Sequence, residues 1–393
     1  MRFRMLFIVS AVVMAAPVFA HHGFGTFEVN KTVNFPGATI TKLEFINPHS
    51  WLYFDVRDAS GKVQKMRCEM RSAHVLRRSG WQSDMFRAGQ RVDITASPDR
   101  ADAASCYLQT IQFANGTRMD RYGQYVKAPE GGVKEVRGAI RAVNVNRPAR
   151  RPTGEPNISG EWAPEQVVMA DPRGTGGPLV PLSTIAKPEA TQGAGGGRAG
   201  GRGAAAAGPR LYGGTELTEL GTSMAAAFTQ TDNPRFQCQT TSIIFDWTFD
   251  GPVNRITQNR DTIVIEYGQF NLKRTVYMNM KAHPANIKPS RAGHSIGRWE
   301  GDTLVVDTVG FSPGVLNAPV RHSDKLHVVE RFTLDPKTMR LTRQYEAEDP
   351  LYLKGKYTGQ DVIQPADAPY VEDTCKEQKD VNYSQQVTTP QKR

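Results

Sequence analysis

Past its first twenty residues the sequence has no apolar run near the ~20 residues that a membrane-spanning helix needs, so no integral membrane association is expected. Cysteine is scarce, with 4 in 393 residues, and none are spaced Cys-x-x-Cys, which argues against a thiolate metal site. No His-Glu-x-x-His spacing and no nucleotide-binding motif occurs. Acids are in the minority, 39 against 49 lysines and arginines, giving a formal charge of +10. That excess sits partly in dispersed arginines (Arg147, Arg150, Arg151, Arg198, Arg202) in or beside a loose middle segment. With export implied by the N-terminus, it reads as a solvated basic surface, and no nucleic-acid partner is expected.

What is present begins with Arg2 and Arg4, an apolar run over residues 5–16 and Val18-Phe19-Ala20, the three parts of a secretory signal peptide. Cleavage after Ala20 makes His21 the mature N-terminus, lowers the formal charge to +8 and places the chain in the periplasm. An oxidising compartment permits disulfides, and the cysteines fall two in each half of the chain. Cys68 is therefore paired with Cys106 and Cys238 with Cys375.

The expected fold is mainly β. Alternating segments at 38–46, 50–57 and 62–70, a short helix at 73–79 capped by Ser72, and strands at 91–96 and 105–113 follow one another in residues 21–127. Three strands, a helix and two strands is the element order of a small OB-like barrel. Residues 128–156 read as a linker with one strand-like stretch, 133–145. A Gly- and Ala-rich insertion over 171–209 is read as a disordered loop, because its glycines neither follow a strand nor open an amphipathic helix. From 157 to 375 the pattern is a larger antiparallel barrel or meander, with strands at 262–267, 272–279, 303–309, 326–334, 339–346 and 357–363 and a helix at 215–228 capped by Thr215. Gly160-Glu161-Trp162 at its start resembles the first strand of lipocalin-like barrels, whose Trp plugs one end. Residues 376–393 form a tail.

Two motif sets carry a resemblance. His21-His22-Gly23-Phe24, Asn47-Pro48-His49-Ser50-Trp51 and Arg77-Arg78-Ser79-Gly80-Trp81 resemble an uncharacterised exported bacterial family. Gly293-His294-Ser295-Ile296-Gly297-Arg298-Trp299-Glu300-Gly301-Asp302-Thr303-Leu304-Val305-Val306-Asp307-Thr308, with the stretch from His322 to Phe332, resembles a second, β-rich one. Members of the second read Leu-Asp-Gly-Arg before a His-Pro pair; here Met278-Asn279-Met280-Lys281 precedes His283-Pro284. Neither resemblance implies a reaction.

Three constellations bear on function. A terminal amine and imidazole at His21, joined by His22 or His49, would make a planar nitrogen site suited to copper. The group His294, Asp307, His322 and His327 offers general acid–base chemistry, with His294 and His322 expected together at the barrel mouth and Asp307 orienting them. Alternation puts His327 and Glu330 on opposite faces of one strand, so these two should not share a pocket. Trp299, Arg298 and Glu300, beside the turn, are candidate ligand contacts, although charged residues at strand ends also form structural ion pairs. Two readings follow: an exported binding protein holding a small apolar ligand in its barrel and copper at its N-terminus, or a lyase, isomerase or hydrolase working through histidine and carboxylate.

Overall fold

The structure is a computed structural model that describes residues 27–375 apart from 29–30, 59, 80, 82, 122–124, 128–146, 170–178, 182–210 and 230–231. His21, His22, the tail, the strand-like stretch at 133–145 and most of the Gly-rich insertion therefore lie outside the described residues.

Five strands close the first barrel: β1 (Val33–Glu44), β2 (Trp51–Arg57), β3 (Val63–Glu69), β4 (Arg91–Pro98) and β5 (Ser105–Phe113). Neighbours pair antiparallel as β3-β2-β1-β4-β5, and a parallel β3–β5 contact completes the ring. Helix α1 (Ala73–Arg78) lies between β3 and β4, with the Ser72 hydroxyl accepting from the Val75 N–H. This is the OB-like order expected. Ile40, Leu52, Phe54, Leu76, Trp81, Ile94 and Leu108 fill the interior. Cys68 and Cys106 are register partners across the closing seam, and their disulfide staples it. Two short strands, β6 (Arg118–Asp120) and β7 (Tyr125–Lys127), extend the sheet beyond β5.

The second body opens with β8 (Gly160–Pro164), followed by a small hairpin of β9 (Val167–Met169) and β10 (Leu179–Pro181). Part of the range expected to be loose is thus a strand. Helix α2 (Glu219–Ala226) begins later than the sequence implied. A tight turn at Gly213-Gly214, closed by the Tyr212↔Thr215 bridge, and the bridge Leu217↔Leu353 keep residues 212–217 out of the helix, so the cap is Thr218, whose hydroxyl accepts from the Gly221 N–H at 3.0 Å.

Then come β11 (Asn254–Gln258), β12 (Thr262–Glu266), β13 (Lys273–Tyr277), β14 (His294–Glu300), β15 (Thr303–Val309), the hairpin β16 (Gly314–Asn317) and β17 (Val320–His322), and β18 (His327–Leu334), β19 (Leu341–Glu348) and β20 (Tyr357–Pro365). A nine-stranded barrel closes in the order β11-β12-β13-β14-β15-β18-β19-β20-β8. One neighbour pair, β13–β14, is parallel. A parallel pair needs a connection that returns to the starting end, so residues 278–293 must run back along the wall.

Side chains fill this barrel. Trp162 is fully buried near one end, its indole N–H donating to Ile158 O at 2.8 Å and the Arg147 guanidinium 4.1 Å from its ring centroid. Burial pushes that guanidinium's pKa down to about 10. Elsewhere in the interior, residues 243–247 insert Ile243, Ile244 and Trp247, and Arg343 and Tyr267 donate to the buried carbonyls of Ile243 and Ile244. Glu330, fully buried, pairs with Arg274 at 2.5 Å and Arg343 at 3.1 Å, and Arg343 also pairs with Asp361 at 2.6 Å. A buried carboxylate is tolerable only when paired in this way.

The two barrels meet through residues of the first motif set. Arg78 of α1 donates to Asp367 and to the carbonyls of Gly251 and Pro164. Asn47, which precedes a cis proline, donates to Asp373 at 2.7 Å and lies 3.0 Å from His74 Nε2. The second disulfide, Cys238–Cys375, pairs as expected.

Candidate functional site

The hairpin of β14 and β15 turns on Gly301 and Asp302, with Glu300 opposite Thr303 and Gly301 at φ +59°, a region that glycine enters without a Cβ penalty. Alternation sends Ser295, Gly297, Leu304, Val306 and Thr308 inward. His294, Ile296, Val305 and Asp307 consequently face outward, as does His327 on the adjoining β18. Gly293, at φ +66°, has room only for hydrogen: a Cβ would sit 2.7 Å from Thr308 Cγ2. The returning segment 278–293 lays His283 over this outer wall.

A continuous hydrogen-bonded chain results. His294 Nδ1 and His283 Nδ1 are 2.8 Å apart, His283 Nε2 is 3.0 Å from Asp307 Oδ1, and His327 Nε2 is 3.1 Å from the same oxygen and 3.2 Å from Oδ2. An ionised carboxylate can only accept, so both Nε2 atoms carry hydrogen. With hydrogen on Nε2 alone, His283 presents a lone pair on Nδ1, which accepts the Nδ1–H of His294. The outcome is a basic lone pair on His294 Nε2, at the far end of a chain anchored on Asp307. The Tyr277 ring stacks on His294 at a centroid distance of 5.2 Å and fixes its plane.

The electrostatics divide the roles. Partial burial lowers the pKa of His294, and positive charge on His283 lowers it further, so its neutral form is favoured. The hydrogen bond from His327 holds the Asp307 carboxyl below the usual range, and the same bond raises His327, with Glu348 adding to it and Lys356 opposing. One histidine is thus a free base while another favours its proton, a pairing typical of acid–base sites.

The structure does not bring every expected residue here. His322 is buried on β17, its Nδ1 3.1 Å from Ser323 O and its ring edge-on to Phe311, and His283 takes the place expected for it. The cluster lies on the outer wall instead of in a barrel mouth. Glu300 accepts from Arg298 at 2.6 Å and Arg331 at 2.8 Å, a surface ion-pair cluster on the same outer wall, where Val305 lies buried. Trp299 faces the other way, packed against the core. Glu330, as alternation required, is inside the barrel with the histidines outside. His49 Nδ1 is engaged by Glu69 at 2.8 Å; burial works against its charge, but Glu69 outweighs this and raises its pKa.

His283 was not selected from sequence, although its His-Pro pair belongs to the second motif set. No nucleophile elbow was expected, yet Gly293-His294-Ser295-Ile296-Gly297 has the spacing of one. Ser295 nevertheless lies within a strand with its side chain inward, 1% exposed and bonded to Thr308 Oγ1 at 2.9 Å, so it is no exposed nucleophile. Among the described residues no group of three or more His, Cys, Asp or Glu is placed to hold a metal ion, since the donor atoms of this cluster form a chain and do not converge. An open cleft of about 530 Å³, lined by Val329, Arg331, Gln344, Glu346, Thr358 and Gln360 among others, begins beside the chain, because Val329 is the register partner of Asp307.

Both disulfides fit an oxidising, extracytoplasmic compartment, and no described helix is long and apolar enough to cross a membrane. No curated protein and no solved structure matches the chain. Residues 9–107, which reach through most of the first barrel into β5, match the model of a family of unknown function (DUF6152).

Proposed function

We propose that the chain is an exported, periplasmic enzyme that moves protons, in the class of lyases, isomerases or hydrolases, with His294 Nε2 as general base. The supporting observation is the chain His294–His283–Asp307–His327. A proton taken by His294 makes an imidazolium whose Nδ1–H remains bonded toward Asp307, so the carboxylate stabilises the charge through His283. His327, whose charged form Asp307 favours, stabilises negative charge developing on the substrate or returns a proton to it. The polar cleft beside Val329 receives the rest of a small-molecule substrate. This revises the expected pair of His294 and His322 while retaining Asp307 as the orienting group.

The binding reading, a small apolar ligand within the barrel, has less support because Trp162, Trp247, Tyr267 and Phe332 occupy the interior. Copper at His21 remains a separate proposal, tested by the metal content of correctly processed protein. The resemblance of residues 293–308 and 322–332 to a second exported family supports treating this hairpin as the functional part of the second body.

The acid–base reading is tested by histidine NMR titration together with a panel of hydrolase, lyase and isomerase substrates. His294 should titrate below 6.5 and His327 above it, and His294→Gln should abolish whichever turnover is found while leaving the fold intact. Turnover undiminished in His294→Gln would refute the proposal.

A further inference from the structure

After β20 ends at Pro365 the chain does not leave the molecule but crosses the junction of the two barrels as a strap. Ala366 N–H donates to Glu161 O at 2.9 Å. Asp367 receives Arg78 at 2.9 Å and Gln166 at 2.6 Å. Asp373, buried, receives Asn47 of the first barrel and the Phe270 N–H of the second, both at 2.7 Å, while its own backbone is tied in both directions to Asn271. Cys375 then ends the strap in its disulfide to Cys238, with Sγ 3.1 Å from Asn47 O. The carboxylates that grip Arg78 and Asn47 thus belong to the strap. Without it, the polar contacts across the junction are the Gly251 and Pro164 carbonyls on Arg78, Gln166 bonded to Arg78 O at 2.9 Å and to Ser79 Oγ at 3.5 Å, and the Arg71–Asp250 pair at 3.5 Å, none of which places a buried carboxylate on Asn47 or Arg78.

The two disulfides differ in accessibility. Cys68 and Cys106 are both 0% exposed in the first core. Cys238 and Cys375 are half-buried, on the outside of the junction's core. Thiol–disulfide exchange requires direct attack of a thiolate on sulfur, so an incoming reductant meets the second bridge first.

We infer that the Cys238–Cys375 bridge is a redox-operated latch whose reduction frees the strap and undocks the first barrel from the second. The reductant is a protein dithiol. One of its thiolates attacks a sulfur of the bridge, the S–S bond breaks, and a mixed disulfide forms while the other cysteine leaves as thiolate. The second thiol of the donor then resolves the mixed disulfide. Two electrons and two protons pass to Cys238 and Cys375, which end as thiols, and the donor ends as a disulfide. In the oxidised state the strap holds Asp367 and Asp373 at the junction; in the reduced state their contacts must be formed by a chain end no longer fixed at Cys375.

The test uses the full mature chain and dithiothreitol under native conditions, with alkylation and peptide mapping to identify the opened bridge. Small-angle scattering and hydrogen exchange of the Phe270 and Asp373 amides follow docking. Cys238 and Cys375 should be alkylated first. The radius of gyration should then rise and both amides lose protection while Cys68–Cys106 stays closed. Cys238→Ser/Cys375→Ser should show the same expansion without reductant, and Asp373→Ala should loosen the junction with the bridge intact, a second route if the cysteine variant does not fold. Unchanged scattering and protection in the reduced chain, or opening of Cys68–Cys106 first or at the same rate, would overturn the latch.

Discussion

Replacing Asp307 with Asn removes the anion to which two histidines are bonded while changing the side-chain volume little. Asp307 accepts from His283 at 3.0 Å and from His327 at 3.1 and 3.2 Å. Buried hydrogen bonds to charged groups contribute about 1.5–3 kcal/mol each, but the three side chains are 29%, 17% and 40% exposed, so solvent screening reduces the total to about 1–2 kcal/mol. At about 2–4 °C per kcal/mol for a body of this size, the melting temperature should fall by roughly 2–8 °C.

The pH dependence has a defined sign. His327 has a raised folded pKa, so its contribution is complete below its ordinary 6.5 and lost as pH rises through the folded value. Asp307 has a lowered one, so its contribution is present above its ordinary 3.8 and lost as pH falls through the folded value. The stability gap between wild type and Asp307→Asn should therefore be widest between those two ordinary values and narrower at alkaline pH. Denaturant melts at pH 5.5 and 9, alongside NMR titration of His327, measure both quantities. Turnover should drop by about two to four orders of magnitude, the range general acid–base groups supply. A gap of equal size at both pH values, or an unmoved His327 titration, would show that Asp307 does not hold the histidine charge.

Glu330→Gln takes from Arg274 the carboxylate it pairs with and leaves Arg343 to Asp361, and should cost about 3–5 kcal/mol by urea denaturation. The double replacement Arg274→Met/Glu330→Met should recover much of that loss, since an apolar pair leaves fewer uncompensated charges. Thr218→Ala should destabilise by about 1 kcal/mol through its lost cap, and Thr215→Ala by less, which locates the start of α2 by calorimetry. Gly293→Ala forces a Cβ against Thr308 at positive φ; a cost of at least 1 kcal/mol, and a shifted His294 resonance, should appear together.

Periodicity was enough to place most strands of both barrels, because burial on one face imposes a period of two that survives whatever the tertiary arrangement. The two disulfides were legible for a different reason: four cysteines divided evenly between two expected domains have one pairing that respects them. The turn at Gly301 followed from local chemistry, and the separation of His327 from Glu330 followed from alternation alone. Helix α2 was misplaced by a few residues because bridges to Thr215 and Leu217 come from distant or neighbouring segments that propensity does not register. The candidate site depended still more on tertiary structure. His294 and Asp307 belong to one hairpin, but His283 joins them only because β13 and β14 pair in parallel, which sends the connecting segment back across the outer wall. His322, close in sequence to His327, is directed into the core by the β16–β17 hairpin. Asn47 and Arg78 read only as motif residues, and their partners Asp373 and Asp367 arrive from the far end of the chain. Local sequence determines which face a side chain occupies; which strands become neighbours, and hence which charges meet, is settled by burying both cores at once.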